Sequence, residues 1–492
     1  MKSWHKCVCV ALAASMVVGT TACSNSSVSS EDSGDGITLR ILENDTAKSE
    51  GYLDELLDAF NEAYKDQGIQ AVDANLDEYS DLAENGPYGY GPDVLYQAND
   101  KLMTYAEDKH LLAIQPQDYE CYEYTPDEAW DAFEINVDGK TYTCGVPVNV
   151  QEPMLFYRAD MMPENWKIEW DDNRNGVADF FENWNDLYAY SSYLREHDTG
   201  ASQDTQYGFM SSLNNLYLNA NFFFSYGAYV FGENADGSVD STDIGFAAGN
   251  AAKGMNALIQ FAGLMNEGCI DDTIITNRYE KLANGNYFCC VSTPDTYSTF
   301  VEKLALEYES EGLSSTEAES KAEENIQMIE LPAFMPADGD LSRDSSEMSD
   351  SDWVPTVVMG GINGYGISAY TKHKEACIEF VNFATGYEMI TKRCEMLGIA
   401  PTRSDVAEER GSVANTIFDN LESGRIELMP SVKAVDQIWT PVQTMMEDMA
   451  KDAYRADSEK KYTTQESIQQ ALEKVDKDIY DAIYTLGEQK AQ

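Results

Sequence analysis

An acidic run of twelve residues, from Asp171 to Glu182, carries the most specific chemical pattern in the chain. Side chains with oxygen atoms stand at positions 1, 3, 5, 9 and 12 of this run, and a glycine stands at position 6. Such spacing is typical of a calcium loop, in which six to eight oxygen ligands surround one ion and position 7 contributes its backbone carbonyl. The pattern predicts a Ca²⁺ site with the ligands Asp171, Asn173, Asn175, Val177, Asp179 and Glu182.

A structural role is expected for this loop. A helix start, Trp184-Asn185-Asp186-Leu187, follows it directly, and a bound ion would pin that start. Position 8 is Ala178, where a larger aliphatic residue is usual. One alternative is that the metal directly contacts the small molecule that the protein binds. The other is that the segment is an acidic turn that holds no metal.

The first 22 residues have the layout of a secretory signal. Lys2 and Lys6 precede an apolar run from Val8 to Val18, and small residues lead to Cys23. The run is shorter than the about 20 residues that span a bilayer. The junction resembles a bacterial lipobox, with Thr20 where that pattern prefers leucine, so Cys23 is predicted to carry acyl chains such as palmitate. Plain secretory cleavage beside an incidental cysteine is the alternative.

Composition narrows the classes of partner. The chain carries 86 acidic and 33 basic residues, a net charge of −53. Such a surface repels nucleic acid, whose binding needs Lys and Arg to displace counterions. A neutral or cationic small ligand is therefore expected. The length exceeds what one hydrophobic core fills, so at least two domains are expected.

The cysteines do not form a disulfide framework. Seven follow Cys23, an odd number with wide spacing, and none has a nearby histidine that would suggest zinc. Cys377 shares a helical face with apolar residues, and Cys289-Cys290 lies in an apolar strand. Free, buried thiols are expected.

The elements that must position a ligand begin after a flexible Ser/Asp/Gly-rich tether, residues 23–36. A strand is predicted over 37–42, an amphipathic helix over 53–64, and further strands over 69–72 and 93–96, with a helix from about residue 100. This order indicates a mostly parallel sheet flanked by helices. Ligands of such sheets bind beyond the carboxyl ends of the strands, here 43–46 and 97–101.

A second α/β region follows. A helix is predicted from Met255 to Met265, Pro336 to Asp352 has the composition of a mobile loop, and helices are predicted from Thr440 and over 468–483.

An ordered set of short motifs resembles the extracellular solute-binding proteins of ABC sugar importers, and most closely their maltose/maltodextrin-binding branch. The resemblance covers nearly all of the chain after the tether. The motifs are Gly91-Pro92-Asp93-Val94, Asn99-Asp100-Lys101, Asp138-Gly139-Lys140, Val146-Pro147-Val148-Asn149-Val150-Gln151, Leu155-Phe156-Tyr157-Arg158-Ala159-Asp160, Tyr207-Gly208-Phe209-Met210, Gly227-Ala228-Tyr229, Ala283-Asn284-Gly285-Asn286, Gly360-Gly361-Ile362-Asn363 and Met429-Pro430 followed by Trp439.

The resemblance implies an α/β, two-lobed periplasmic-binding-protein-like fold of type II. Each lobe would hold a mostly parallel sheet flanked by helices, and the ligand cleft would lie at a three-strand hinge. The implied boundaries are 37–146 plus 294–369 for the N-terminal lobe and 147–293 plus 370–492 for the C-terminal lobe. The implied crossings lie near 145–148, 291–294 and 368–371.

The resemblance also implies which residues bind the ligand. Aromatic rings would stack on sugar faces, and polar groups would pair with the hydroxyls, where an unpaired partner is costly. The implied residues are Asp45, Gln97, Asp100, Lys101, Gln151, Tyr217, Asp295 and Trp439.

Several positions depart from the maltose binders. Gln97 and Asp295 replace stacking tryptophans, Thr46 replaces a lysine, and Gln151 replaces a glutamate. An oligosaccharide other than maltodextrin is thus equally consistent with the resemblance. Phe222-Phe223-Phe224 is expected in the core rather than at the ligand.

The implied function is a monomeric, lipid-anchored binding protein on the extracellular face of a Gram-positive-type cell membrane. It would capture an oligosaccharide and deliver it to the transmembrane subunits of an ABC permease, with no catalysis. One alternative keeps the fold and binds a peptide, polyol or uronate oligomer. Another is a surface glycosidase, although the chain has no G-x-S-x-G or H-E-x-x-H motif.

Overall fold

The computed structural model describes residues 36–490, apart from 79, 138, 198–206, 236–237 and 411. The strands are β1 (Ile37–Leu42), β2 (Ile69–Asp73), β3 (Val94–Ala98), β4 (Glu134–Val137), β5 (Lys140–Thr143), β6 (Val146–Gln151), β7 (Met154–Arg158), β8 (Tyr207–Met210), β9 (Phe231–Glu233), β10 (Val239–Ile244), β11 (Tyr287–Ser292), β12 (Ile326–Glu330), β13 (Phe334–Pro336), β14 (Trp353–Pro355), β15 (Val358–Ile367), β16 (Ala400–Pro401) and β17 (Ile426–Leu428).

Helices account for much of the remaining chain. They are α1 (Asp45–Ser49), α2 (Tyr52–Tyr64), α3 (Leu82–Asn85), α4 (Asn99–Glu107), α5 (Asp127–Asp131), α6 (Trp166–Glu169), α7 (Asp179–Glu182), α8 (Trp184–Glu196), α9 (Leu216–Asn219), α10 (Asn221–Phe224), α11 (Ala251–Ala262), α12 (Thr273–Ala283), α13 (Tyr297–Ser310), α14 (Ser315–Asn325), α15 (Lys374–Ala384), α16 (Tyr387–Leu397), α17 (Ser404–Arg410), α18 (Ser412–Glu422), α19 (Trp439–Asp452) and α20 (Gln465–Lys490).

The first sheet has the strand order β16-β6-β15-β3-β1-β2, with β17 paired to β15. Strands β1, β2 and β3 are parallel, whereas β15 runs antiparallel to both β3 and β6. All ten residues of β15 are buried, so this strand forms the middle of the sheet. The parallel part brings the carboxyl ends of β1 and β3 to one edge, as their spacing predicted.

The second sheet has the strand order β12-β7-β11-β8. Strand β7 runs antiparallel to both neighbours, and β8 is parallel to β11, so three strands point the same way. Helices α8, α11 and α12 cover this sheet; for example, Phe261 of α11 lies 4.7 Å from Phe209 of β8, measured between ring centres. Each sheet with its own helices is called a lobe below.

The apolar core is continuous across the two lobes. One cluster packs α2, α15 and α16 against a face of the first sheet. A larger cluster runs from the opposite face, through Val150 and Ile362, into the second sheet and the helices α11, α19 and α20. Phe222, Phe223 and Phe224 are buried within it, which confirms their predicted place in the core.

Two segments pack against the other lobe than the one in which the sequence placed them. The lobe boundaries themselves remain a prediction. Residues 294–330 form α13, α14 and β12 of the second lobe, whereas the prediction placed 294–369 in the first. Helices α15 and α16 pack on α2, not in the second lobe where 370–492 was placed, and β6, predicted from 147 in the second lobe, pairs in the first sheet. The chain therefore leaves the first sheet after Gln151 and leaves the second after Glu330.

The acidic segment from Pro336 to Asp352, whose composition predicted a mobile loop, contains many local hydrogen bonds. The Asp340 carboxylate accepts from the backbone N–H of Ser342 at 3.0 Å, and Ser349 forms a capping box with Asp352. Arg343 bridges Asp338 and Asp352 at 2.7 and 3.2 Å. Aspartate and serine side chains satisfy backbone groups in tight turns, so a segment with few apolar residues still adopts one conformation.

A fully buried ion pair lies beneath the carboxyl edge of the first sheet. Arg393 of α16 donates two hydrogen bonds of 2.9 Å to Glu43, which follows β1, and neither side chain is exposed. The guanidinium also lies 4.0 Å from the ring centre of Tyr96 on β3, and the hydroxyl of Tyr365 on β15 donates to Glu43. This cluster ties three strands and a helix directly behind the predicted ligand residues.

Candidate binding cleft

The carboxyl ends of β1 and β3 are joined through the loop that follows β2. The backbone N–H of Asp45 donates to the Glu78 carboxylate at 2.9 Å, and the Gln97 side-chain amide donates to the Glu78 carbonyl at 2.6 Å. Lys48 donates to the carbonyl of Leu76 at 2.9 Å. The predicted residues Asp45 and Gln97 therefore meet at one edge, held by a loop residue that the sequence interpretation omitted.

The hydroxyl of Tyr217 is buried and is influenced by carboxylates of both lobes. Burial raises the pKa of Tyr217 well above its ordinary value, and the charges of Asp295, Glu152 and Asp100 raise it further. Among the described residues, neither the Tyr217 hydroxyl nor the Asp295 Oδ1 atom has a hydrogen-bond partner, although both atoms are buried. Unpaired buried polar atoms are costly, so these groups are suited to a polar ligand.

Asp100 stands at the start of α4, where the first lobe meets the segment leading to α19. Burial raises the pKa of its carboxyl, and the charge of Asp436 adds to the effect. Its neighbour Asn99 is fully buried and donates to the carbonyl of Met429 and to the Ser431 hydroxyl, both at 3.0 Å. Asn99 thereby fixes the start of α4 against the chain that leads to Trp439.

The remaining predicted residues lie at different places in the structure. Trp439 begins α19, which contacts the Tyr217 helix α9, and both rings pack partly buried against the larger core cluster. Gln151 and Gln97 flank β15, paired with Gly361 and Gly364 respectively. Lys101 is exposed, and its ammonium lies 4.9 Å from the ring centre of Tyr105. The backbone N–H and the charge of Lys101 act on the carboxyl of its predicted neighbour Asp100, where they oppose the rise in pKa.

The sequence interpretation missed Glu78 and Glu152. Glu78 follows β2, so the rule that ligands bind beyond strand ends, if extended to that strand, would have found it. Glu152 directly follows Gln151 in the link to β7 and is only 3 % exposed. Burial raises its pKa to about 8, the charge of Glu330 contributes, and the Asn420 amide donates to it at 3.4 Å.

A cavity of about 490 Å³ lies between α1, α13, α14 and α16. Thr46 and Tyr297 line it, and they lie one and two residues from the predicted Asp45 and Asp295. Six glutamates also line it: Glu50, Glu302, Glu309, Glu319, Glu323 and Glu395. Both lobes contribute to this opening, and the Ser298 hydroxyl of the second lobe donates to Glu50 of the first at 3.3 Å.

The predicted calcium loop converges on Glu182. The side-chain amides of Asn173 and Asn175 donate to its two oxygens at 2.8 and 2.5 Å. Gly176 has φ +87°, as the sharp turn requires, and its N–H donates to Asp171 Oδ2 at 3.2 Å. The Asp179 carboxylate accepts from the N–H of Asp172 at 3.1 Å. Helix α8 follows, and the Asn183 side chain caps it by accepting from the N–H of Asp186 at 2.9 Å.

No group of three or more His, Cys, Asp or Glu side chains among the described residues is arranged to hold a metal. This finding includes the three carboxylates of the loop, those of Asp171, Asp179 and Glu182. The seven cysteines from Cys121 to Cys394 are buried, and no disulfide joins them. Residues 1–35, with the predicted signal, most of the tether and Cys23, lie outside the described part of the chain.

No described helix is long and apolar enough to cross a membrane.

Comparison with known proteins gives a consistent result. A family model described as bacterial extracellular solute-binding protein matches residues 55–419. The galactooligosaccharide-binding protein of Bacillus subtilis (strain 168) is 24 % identical over 92 % of this chain and 93 % of its own length. The maltodextrin-binding protein MdxE of the same organism is 21 % identical, over 89 % and 91 %.

Solved structures share the fold. The maltose-binding periplasmic protein MalE from Listeria monocytogenes, in complex with maltose, superposes with a TM-score of 0.65 at 15 % identity, covering 91 % of this chain and 98 % of that one. A cyclo/maltodextrin-binding protein complexed with maltotetraose gives 0.65 at 18 % identity, covering 92 % and 99 %. The two-lobed α/β fold predicted from the motifs is thereby confirmed.

Proposed function

The chain belongs to the bacterial extracellular solute-binding proteins, and we propose that it captures an oligosaccharide and delivers it to the membrane subunits of an ABC importer. The observation that carries this proposal is the pair of buried, unpartnered polar atoms on Tyr217 and Asp295. They belong to the second lobe, and the nearby carboxylates of Asp100 and Glu152 belong to regions of the first lobe and the connecting link. A hydroxyl-rich ligand would satisfy all of these groups at once.

A neutral glycan fits the composition of the cleft. Carboxylates accept hydrogen bonds from hydroxyls, and amides both accept and donate them. The partly buried ring of Trp439 is available for stacking on a sugar face. The relatives named for galactooligosaccharide and maltodextrin support this ligand class. Because Gln97 and Asp295 stand where maltose binders carry tryptophans, we propose a glycan that depends on hydrogen bonds more than on stacking.

The protein would bind its ligand without converting it. The family model is described as a solute-binding protein, which supports binding rather than catalysis. The protein would be a monomer. A lipid anchor on Cys23 would hold it at the extracellular face of the membrane. Two acyl chains suffice for stable attachment, since each buried CH₂ contributes about 0.8 kcal/mol.

A glycan array followed by calorimetry tests the proposal. The mature protein is first screened on the array, and binding of the best saccharides is then measured in solution, with intact saccharide recovered afterwards. We expect binding of one glycan class and full recovery. Binding of only peptides, polyols or uronate oligomers would show that the ligand is not a neutral glycan. Hydrolysis of the saccharide would show that the protein is a glycosidase rather than a binding protein.

A further inference from the structure

The loop from Asp171 to Glu182 holds more oxygen atoms than its own hydrogen bonds use. Asp171 is only 7 % exposed, its Oδ2 accepts from Gly176, and its buried Oδ1 has no partner among the described residues. The side-chain oxygens of Asn173 and Asn175 each accept one backbone N–H, from Asn175 and Val177, at 2.9 and 2.8 Å. An amide oxygen has two lone pairs, so each of them can bind a further group.

The charge of the loop favours a small, hard cation. Asp171, Asp179 and Glu182 contribute three carboxylates, and at Glu182 only two neutral amide N–H groups offset the charge. Calcium prefers six to eight oxygen ligands of this kind, and a bidentate glutamate at position 12 is typical of its loops.

The loop is also rigidly seated. Trp170, directly before it, packs edge-on against Phe180 inside it at 5.8 Å, and Phe180 stacks on Tyr190 of α8 at 4.3 Å, measured between ring centres. Phe180 is fully buried. The residue before the loop and position 10 within it are therefore anchored in the apolar core, while Asn173 and Asn175 between them are exposed.

Glu182 connects the loop to the chain that joins the two sheets. Its backbone carbonyl accepts the N–H of Ala333 at 2.9 Å, and Asn183 forms a bridge with Phe334. Ala333 lies in the segment that leaves β12 and returns towards β15, and its carbonyl accepts the N–H of Thr356 at 2.8 Å. The Thr356 hydroxyl in turn accepts from the Trp184 indole at 3.2 Å.

We propose that residues 171–182 bind Ca²⁺ and that the ion, through Glu182, fastens the 331–334 segment between the two sheets. The ligands are the side chains of Asp171, Asn173, Asn175, Asp179 and Glu182 with the carbonyl of Val177. The ion reduces opening of the joining segment and thereby restricts the motion of one lobe relative to the other.

Calorimetric titration with Ca²⁺ alone tests the site, with Tb³⁺ luminescence excited through Trp170 as a second readout. We expect binding in the range of extracellular calcium modules, about 10⁻⁴–10⁻³ M or tighter. Glu182→Gln should weaken it by on the order of 10–100-fold or more, because even groups that only support a metal ligand change affinity that much. Asp172→Asn removes the same charge from exposed position 2 and should bind like the wild type.

Circular dichroism without metal shows whether each variant folds, and Asn173→Ala, at an exposed position, serves if Glu182→Gln does not. A wild-type protein that takes up no Ca²⁺ at millimolar concentration, or equal affinity in wild type and Glu182→Gln, would overturn the site.

Hydrogen exchange at the Ala333 amide tests the link. With Ca²⁺ at about ten times its dissociation constant, exchange should slow by up to roughly tenfold, the factor that mass action allows when opening releases the ion. The slowing should be present in Asp172→Asn and absent in Glu182→Gln. If the exchange rate of the Ala333 amide is unchanged in a protein saturated with Ca²⁺, the metal site stands but its proposed link to the joining segment is wrong. No saccharide enters either experiment, so the outcome is independent of the ligand class.

Discussion

Single residues at the proposed cleft carry the test of where the ligand binds. Asp100→Ala removes a carboxylate whose charge influences Tyr217, and Trp439→Ala removes a partly buried ring. Each change should weaken binding of the selected glycan by about 1–3 kcal/mol, the magnitude of an aromatic anchor or a lost buried polar partner. Calorimetry measures this. Unchanged affinity in both variants would show that the ligand lies elsewhere, whereas Asp118→Ala, outside the cleft, should bind normally.

The buried Glu43–Arg393 pair should be costly to break and cheap to replace. Arg393→Met leaves the Glu43 charge buried without its partner, so the free energy of unfolding should fall by about 3–5 kcal/mol. Glu43→Met combined with Arg393→Met removes both charges and should recover most of that loss. Denaturant unfolding measures both variants. A double variant as unstable as the single one would mean that the network around Tyr365 and Tyr96 depends on the charges themselves.

Glu152 should make the stability depend on pH. Burial raises its pKa from 4.5 to about 8, so between these values the folded protein keeps a proton that the unfolded chain releases. Its contribution to stability is therefore complete below pH 4.5 and is lost as the pH rises to about 8. Glu152→Gln should be increasingly more stable than the wild type over this range. Unfolding at several pH values measures this, and the exposed Glu459→Gln should show no such trend.

The residues at the cleft could be predicted only in part. Asp45 and Asp100 follow strand ends and Gln97 lies one residue before the end of β3, so the rule for strand ends located all three positions. Tyr217 and Asp295 required the family resemblance, because only folding brings α9 and the start of α13 near α4. Glu152 was missed, since its burial results from Asn420 and Glu330, which are distant in sequence.

Among the elements, helix α11 shows how packing can reverse an intrinsic preference. Replacing a helical glycine with alanine normally stabilises by about 1 kcal/mol. At Gly254, however, a Cβ would lie 1.8 Å from the Phe222 carbonyl of α10, so Gly254→Ala should destabilise the protein and lower its melting temperature. Gly263→Ala at the end of the same helix, with its nearest neighbour at 3.3 Å, should be tolerated. Equal melting temperatures would mean that α10 and α11 can separate freely.

Elements with a strong local pattern were predicted well, and their partners were not. The first strand, the helix over 53–64 and the strand containing Cys289-Cys290 occur where periodicity placed them. The sheet on which α13 to β12 and α15 to α16 pack depends on contacts between distant segments, so the local pattern did not predict it. The turns of the segment 336–352 were not predicted, because aspartate and serine side chains form them without apolar burial.

For the whole molecule, ligand binding should change the relation of the two lobes. Ligand atoms that pair with Tyr217 and Asp100 would draw the second lobe towards the first, since these residues belong to different lobes. Small-angle scattering should show a smaller radius of gyration with the selected glycan than without it. Asp100→Ala at the same glycan concentration should close less. An identical radius with every saccharide that binds would mean that capture needs no closure.

The buried cysteines have a practical consequence. Burial raises the pKa of Cys121 and Cys144 to about 11 and of Cys290 and Cys377 to about 12, so these thiols are both shielded and weakly ionised. A maleimide dye would therefore select a cysteine introduced on the surface over the native ones in the described chain. Ser298→Cys, at the exposed contact between the lobes, would turn the protein into an optical reporter of its own ligand without any native thiol being removed.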